Sequence, residues 1–191
     1  MKETIRTFIA IKIIPENKLT ELFLHLRSSL KSEEIRWVDI NNFHLTLRFL
    51  GETTREQVSE TNKLLESIAS NFTSFQIEIK GVGVFKNKMQ PRVLFLPVVN
   101  NPFLIQLNAE IKAKLNFVGF EEDEKSFNPH LTLGRIKYIE NKEAFYALVN
   151  RYSNEKIQSF TVSEITFYQS ILSSDGPTDK QLKIIKLNNQ L

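Results

Sequence analysis

The 191-residue sequence contains no cysteine, and this absence removes three kinds of chemistry at once. There is no disulfide framework, no thiolate zinc site and no cysteine nucleophile. Glycine and proline are scarce, with six of each, which argues against a disordered, collagen-like or low-complexity chain. The chain has instead 41% hydrophobic residues, and at this length it can bury about 70% of its unfolded surface. We therefore expect a folded protein with a substantial core.

The sequence also lacks a long apolar run and a strong charge of either sign. No apolar stretch approaches the roughly 20 residues that a membrane-spanning helix needs, and the charged start of the chain does not fit a signal peptide. We accordingly expect a cytoplasmic protein that does not bind membranes. The net charge of +3, with a pI near 9.0, allows a local basic surface for a phosphate ligand. It falls short of the basic excess expected of a general nucleic-acid coat.

Strand and helix patterns alternate along the whole chain. In the first half, hydrophobic periodicity and capping signals predict the order β-α-β-β-α-β, with Thr54 and Gln57 forming a capping-box pattern. In the second half we predict strands over 75–85 and 92–99, a helix from Asn101 to about Gly119, a strand over 130–138, a helix over about 141–152 and strands near 160–172 and 182–187. No linker rich in Pro, Gly or Ser divides the halves. We therefore expect one domain spanning residues 1–191.

One tetrapeptide occurs twice. His44-Leu45-Thr46-Leu47 recurs as His130-Leu131-Thr132-Leu133, so that two of only three histidines have the same neighbours. Side chains alternate between the faces of a strand, so in each copy the histidine and the threonine share one face while the leucines face the core. If the two halves are duplicates related by a pseudo-twofold axis, both His-Thr pairs lie across one cleft.

Other interpretations explain this pattern less well. A histidine that merely packs and a threonine with high β propensity explain one copy, but the repetition favours a shared site. A zinc site needs at least three ligands, and two histidines without cysteine or a nearby acidic ligand fall short. The sequence has no Gly-x-Ser-x-Gly elbow and no glycine-rich nucleotide loop, so neither a serine hydrolase nor ATP binding is implied.

The paired tetrapeptides resemble the His-x-Thr-x motifs of the two-histidine phosphoesterases, and in particular the RNA 2′,3′-cyclic phosphodiesterases, long called 2′-5′ RNA ligases. The resemblance covers essentially the whole chain, and the other matching segments are Arg6–Ala10, Arg36–Val38, Phe49–Glu52, Gly81–Phe85, Phe127–Pro129, Gly134-Arg135 and Ser170 with Gly176-Pro177. The chain departs from the family pattern at Lys125, where an arginine is common. It departs again at Thr178-Asp179, where an aromatic residue often follows Gly-Pro.

This resemblance implies an α+β fold with two lobes, pseudo-twofold-related β-α-β units whose antiparallel sheets flank a central cleft. It further implies hydrolysis of RNA ends that carry a 2′,3′-cyclic phosphate, with no metal, cofactor or ATP. Two alternatives stay open: the same cleft joins RNA ends through a 2′-5′ bond, or it binds RNA ends without catalysis. We expect the protein to act as a monomer.

Opening a cyclic phosphodiester needs one group that donates a proton and one that accepts a proton. Imidazole serves in either role near neutral pH, so we expect His44 and His130 to be the catalytic pair. The resemblance suggests His44 as the proton donor and His130 as the acceptor. The hydroxyls of Thr46 and Thr132 are expected to donate hydrogen bonds to the non-bridging phosphate oxygens.

The resemblance adds Arg135 as a cation for the phosphate. Simple alternation places Arg135 on the face opposite His130, so this role requires a bend or bulge in the strand. Gly134, a glycine inside the predicted strand, suggests such a bulge. Arg48 shares the alternation face of His44 and is a second candidate. Four aromatic residues are candidates either for stacking on a base or for the core: Phe8, Trp37, Phe127 and Tyr168.

Overall fold

The structure is a computed structural model that describes residues 3–121, 126–173 and 176–189. Lys125, one of the departures from the family pattern, lies outside the described residues. The first half comprises β1 (Thr4–Lys12), α1 (Asn17–Ser29), β2 (Glu34–Trp37), β3 (His44–Thr54), α2 (Arg55–Ala69) and β4 (Phe75–Lys80). The second half comprises β5 (Gly83–Asn87), β6 (Gln90–Pro97), α3 (Pro102–Leu115), β7 (His130–Tyr138), α4 (Lys142–Arg151), β8 (Lys156–Val162), β9 (Glu164–Ser173) and β10 (Gly176–Lys186).

The same succession of elements occurs in both halves. A strand, a helix, a strand beginning with His-Leu-Thr-Leu, a second helix and a final strand appear as β1-α1-β3-α2-β4 and again as β6-α3-β7-α4-β8. One lobe has the antiparallel strand order β10-β9-β1-β3, and the other has β7-β6-β5 with β2 paired to β7. A short contact between β3 and β7 joins both sets of strands into one sheet. The final strands of the two repeats, β4 and β8, pair with each other. The predicted α+β fold with two pseudo-twofold lobes is therefore confirmed.

The two halves exchange edge strands. β2 of the first half pairs with β7, whereas β9 of the second half pairs with β1 and carries β10 on its other side. Each lobe is thus completed by strands from the other half. None of the helices in the described part of the chain is long and apolar enough to cross a membrane.

Helix caps and the core follow the predicted pattern. The hydroxyl of Thr54 accepts a hydrogen bond from the backbone N–H of Gln57, whose side chain accepts one from the N–H of Thr54, which completes the predicted capping box. The four leucines of the repeated tetrapeptides belong to the main core, each at most 3% exposed: Leu45, Leu47, Leu131 and Leu133. The third histidine, His25, is exposed on α1.

Two predicted strands are interrupted in the structure. The range 75–85 contains β4 and β5, because Gly81 adopts a φ of +84° and a side chain there would collide with the carbonyl oxygen of Ser153. The range 160–172 contains the end of β8 and most of β9, which are separated at Ser163. The final strand begins at Gly176, six residues before the predicted start at Leu182.

Candidate active site

The two His-Leu-Thr-Leu segments lie side by side where the lobes meet. β3 and β7 are joined through one antiparallel pair, Leu45 with Leu131. Because antiparallel partners run in opposite directions, each histidine lies across from the threonine of the other copy. The leucines point into the core, so the polar side chains share the opposite face. The structure thereby brings together the four residues of the predicted catalytic set: His44, Thr46, His130 and Thr132.

Both imidazole rings are held in the same way. Nδ1 of His44 lies 2.8 Å from the carbonyl oxygen of Asn42, and Nδ1 of His130 lies 2.7 Å from that of Asn128. A carbonyl only accepts, so Nδ1–H is the donor in each case. In the neutral ring the lone pair is then on Nε2, which is the nitrogen that accepts or donates a proton in the cleft.

An extra residue in β7 changes the alternation of faces after the second motif. Two consecutive residues of β6 pair with Thr132 and Gly134, which leaves Leu133 outside the β6–β7 register. A bulge of this kind shifts the residues that follow it to the other face, so Arg135 returns to the side of His130. The predicted irregularity near Gly134 is therefore present, and it gives Arg135 access to the cleft.

β3 carries a matching bulge. Two consecutive residues of β1 pair with Thr46 and Arg48, which leaves Leu47 outside the β1–β3 register. Arg48 is thereby turned away from the face of Thr46, so the expectation that it shares the face of His44 is wrong. Its guanidinium donates a 2.7 Å hydrogen bond to the carbonyl oxygen of Glu121.

Phe49 takes the place in the first lobe that Arg135 takes in the second. It pairs with Phe8 of β1, and the two ring centroids lie 5.4 Å apart. Its side chain is 54% exposed, in contrast to Phe8, which is buried. Strict alternation from His44 assigns Phe49 to the core face, so sequence reasoning missed it as a residue of the cleft.

The predicted stacking candidates divide into two groups. Phe8 and Tyr168 lie beside His44, with ring centroids 5.0 and 6.2 Å from the imidazole, and they stack on each other. Both are buried in a small cluster separate from the main core. Trp37 and Phe127 pack against the main core instead. Trp37 and Phe127 are therefore core residues. Phe8 and Tyr168 instead pack beside the first histidine.

Two further phenylalanines enclose the second histidine. Phe85 and Phe95 stack with ring centroids 3.9 Å apart. Both rings meet the ring of His130 in T-shaped contacts, at centroid distances of 4.8 and 5.3 Å. Neither was predicted, because β5 and β6 reach the second motif only through sheet pairing. Each imidazole therefore lies against aromatic side chains that limit its contact with water.

Burial and opposite charges act on the two histidines. Burial lowers the pKa of His44, while its backbone hydrogen bond and the Asp179 carboxylate raise this pKa and the charge of His130 lowers it. Burial also lowers the pKa of His130, its backbone hydrogen bond raises it, and the charge of Arg135 lowers it further. Both rings are thus biased towards the neutral form by burial. Their charged neighbours, however, have opposite signs.

Asp179 is a residue of the site that sequence reasoning missed. Its Oδ2 atom lies 3.8 Å from Nδ1 of His44. The approach depends on the β9–β10 hairpin, where Asp179 pairs with Ser170. A pocket of about 260 Å³ adjoins this contact, and its lining includes the side chains of Lys12 and Gln181. The departure from the family pattern at Thr178-Asp179 was the one signal in the sequence that pointed to this position.

The site offers proton transfer at two Nε2 atoms, with two hydroxyls and a guanidinium on the same side. Within residues 3–121, 126–173 and 176–189, no three His, Cys, Asp or Glu side chains cluster in a way that would hold a metal ion. The arrangement is suited to acid–base chemistry on an anion held between the two histidines.

Comparison with known proteins reveals the duplication independently. The family model described as LigT-like phosphoesterase matches the chain twice, over residues 11–95 and 96–178. The boundary falls within β6, and each match contains one copy of the repeated tetrapeptide. The two matches thus each contain one of the catalytic candidates, His44 and His130.

Similar proteins cover nearly the whole chain. The RNA 2′,3′-cyclic phosphodiesterase of Thermotoga maritima is 37% identical over 93% of this chain and 92% of its own. The RNA 2′,3′-cyclic phosphodiesterase of Methanocaldococcus jannaschii is 34% identical over 93% of this chain and 98% of its own. The crystal structure of Escherichia coli LigT complexed with 3′-AMP superposes with a TM-score of 0.77 at 26% identity, over 97% of this chain and 99% of that one.

Proposed function

The chain belongs to the LigT-like phosphoesterase family, and on this premise we propose that it hydrolyses RNA 2′,3′-cyclic phosphate ends to phosphomonoesters. The observation that carries the proposal is the single Leu45–Leu131 pair, which sets the two His-Thr pairs on one face in opposite order. Relatives that match over more than nine-tenths of the chain are named RNA 2′,3′-cyclic phosphodiesterases. The site supplies the acid, the base and the hydrogen-bond donors that this reaction requires.

The reaction needs two proton transfers at opposite sides of the phosphorus. Nε2 of His130 accepts a proton from the attacking water, and Nε2–H of His44 donates a proton to the departing ribose oxygen. The Nδ1 contacts with backbone carbonyls occupy that nitrogen in both rings and leave each Nε2 for these roles. The opposite charges near the two rings support this direction, because Asp179 favours a protonated His44 and Arg135 favours a neutral His130.

The transition state concentrates negative charge on the non-bridging oxygens of the phosphate. In this proposal the hydroxyls of Thr46 and Thr132 donate hydrogen bonds to these oxygens, and Arg135 adds a permanent positive charge. These donors are carried by paired strands, so little reorganisation is needed when the charge develops. The phosphate is thus held while the two imidazoles move protons.

The whole reaction is assigned to one chain acting as one bilobal unit. Each lobe contributes one histidine and one threonine, and the exchanged edge strands tie the lobes together. An acid and a base are already present, so neither a metal-bound water nor ATP is required for this step. We therefore propose that a monomer suffices, with an RNA end as its substrate.

The test uses the purified protein and a short RNA with a 2′,3′-cyclic phosphate, in EDTA and without ATP. We expect conversion to a phosphomonoester, which electrophoresis and mass spectrometry detect. A parallel reaction includes RNA with a 5′-hydroxyl end, so that joining is measured under the same conditions. Activity that is lost in EDTA and restored by a divalent cation would contradict metal independence. Tight binding of the RNA without turnover would contradict the enzymatic function.

A further inference from the structure

Asp179 is the acidic side chain that the fold brings to His44. Its Oδ2 atom lies 3.8 Å from Nδ1 of His44, and only 11% of the side chain is exposed. It pairs with Ser170 across the β9–β10 hairpin and accepts a hydrogen bond from the Ser170 hydroxyl. A carboxylate removed from water to this extent is costly unless an opposite charge compensates it. His44 supplies that charge when its ring is protonated.

The contact between Asp179 and His44 is electrostatic. Nδ1–H of His44 already donates to the carbonyl oxygen of Asn42 at 2.8 Å, which fixes the tautomer and the ring orientation. At 3.8 Å the carboxylate lies beyond hydrogen-bond distance, but both side chains are largely buried, so its charge still acts on the ring. Asp179 therefore influences whether His44 is charged, and it does not determine how the ring is oriented.

The charged and titratable groups that face His44 come from four strands. Lys12 pairs with it from β1 and is exposed, and His130 on β7 disfavours a positive charge at His44. Tyr168 on β9 has its pKa raised by burial and stays neutral. Asp179 on β10 is the group of these four that favours the imidazolium. Burial raises the pKa of Asp179, whereas the charge of His44 lowers it, so each partner stabilises the charged form of the other.

We propose that Asp179 is a positioning residue that acts through His44: it raises the protonated fraction of this ring against the effect of burial and thereby favours one direction of proton transfer, an inference that rests on the proposed hydrolysis. In that step a bond forms between the water oxygen and phosphorus, and the bond from phosphorus to the departing ribose oxygen breaks. The water proton moves to Nε2 of His130, and the Nε2 proton of His44 moves to the departing oxygen. Arg135 disfavours a positive charge on His130, so this ring begins the step neutral.

Asp179 lies outside both repeated tetrapeptides, and the register of β10, in which it pairs with Ser170, brings it to the first motif. No equivalent carboxylate contacts His130 among the described residues, since that ring is enclosed by Phe85 and Phe95. The two histidines are therefore related by the repeat but differ in which charge stands beside them.

The first test is the substitution Asp179→Asn, which keeps the size of the side chain and an oxygen that accepts from Ser170 while it removes the charge. Titration of the imidazole resonances by NMR follows His44 and His130 separately and does not depend on turnover. We expect His44 to titrate at a lower pH in the variant, with His130 nearly unchanged, and Asp179→Glu to restore part of the difference. Glu155→Gln, which removes a surface partner of Lys18, is the matched control and is expected to change neither ring.

The second measurement is the pH dependence of kcat and KM on the cyclic-phosphate substrate. We expect Asp179→Asn to lower kcat about tenfold above neutral pH with little change in KM, because less of His44 is protonated there. The deficit should narrow as the pH falls, since acid restores the proton. Unchanged titration of His44 in the variant, with hydrolysis intact in both proteins, would refute the role of Asp179. Absence of hydrolysis by the unmodified protein would instead refute the proposed function.

Discussion

The two lobes are alike through the repeated tetrapeptide and differ two residues after it. In both lobes the histidine donates from Nδ1 to the carbonyl two residues before it, and a bulge follows at Leu47 or Leu133. After the bulge the first lobe presents the exposed Phe49, whereas the second presents Arg135. Duplication therefore supplies a symmetric pair of imidazoles. The residues after the motif give only one of them a cationic neighbour from its own strand.

The charges around the histidines complete this difference. His44 has the Asp179 carboxylate at 3.8 Å, and the pKa of His130 is lowered by the charge of Arg135. Neither neighbour belongs to the repeated tetrapeptide. Burial lowers the pKa of both rings, and charged residues that the repeat does not share then act on them in opposite directions. In the proposed reaction this difference favours His44 as the acid and His130 as the base.

The largest effect is expected from removing either histidine. If both lobes supply essential proton transfers, His44→Ala and His130→Ala should each lower kcat by about 10²–10⁴-fold on the cyclic-phosphate substrate. His25→Ala is the matched control, because this exposed histidine lies on α1 and has a ring contact with Tyr152. Near-normal turnover in both single variants, measured on proteins with normal circular dichroism spectra, would contradict the two-histidine mechanism.

The sequence revealed those features of the site that depend on local pattern. The repeated tetrapeptide predicted the four central side chains and the buried leucines because alternation within a strand is a short-range property. The same alternation assigned Arg48 and Phe49 to the wrong faces, because a bulge depends on pairing between strands and cannot be predicted from the tetrapeptide alone. Asp179 was missed because its contact with His44 requires the register of a hairpin 135 positions away along the chain.

Gly134 shows why one irregularity was predictable. A glycine inside a strand suggests a bulge or a close approach of another backbone. A Cβ at this position would lie 2.7 Å from Cγ2 of Ile35 and 3.3 Å from the carbonyl oxygen of Arg36, so the glycine admits β2 against β7. The residue thus marks both the bulge and the exchanged edge strand, although its sequence context suggested only the first.

A smaller effect is expected from the two threonines, which test whether the lobes contribute equally to phosphate binding. Thr46→Val and Thr132→Val keep the shape and the β propensity of the side chain but remove the hydroxyl donor. Each should lower kcat by about 10²-fold if the hydroxyl stabilises the transition state, with thermal stability nearly unchanged. Because Arg135 lies on the side of His130, its cation partly compensates for the loss of either donor, and the two effects need not add.

The double variant decides between the two roles of the threonines. If both residues serve only as good strand formers, Thr46→Val combined with Thr132→Val leaves kcat unchanged. We expect a larger defect than in either single variant, measured by initial rates at saturating substrate on protein whose unfolding midpoint matches that of the unmodified chain. If the double variant has the same kcat as the unmodified protein, the threonine hydroxyls have no catalytic role, and only the histidines explain why the tetrapeptide is repeated.

The smallest effect concerns the bulges themselves, which the two lobes stabilise by different means. The carbonyl of Leu133 accepts a hydrogen bond from the backbone N–H of Val38 at 2.9 Å. The carbonyl of Leu47 accepts one instead from the side-chain amide of the buried Asn108 on α3, at 2.7 Å. A backbone donor is not removed by ordinary substitution, whereas a side-chain donor is. The bulge of the first lobe is therefore the one that mutation can weaken selectively.

Asn108→Ala should lower the free energy of unfolding by about 1–3 kcal/mol, because it leaves the buried carbonyl of Leu47 without its donor. Asn62→Ala is the matched control on α2, since the side-chain oxygen of Asn62 is buried without a partner among the described residues, and its loss should cost less. Urea unfolding followed by circular dichroism measures both changes. Because the catalytic side chains remain, the folded Asn108 variant should keep most of its turnover. Equal losses of stability in the two variants would show that the amide of Asn108 contributes nothing specific to the bulge.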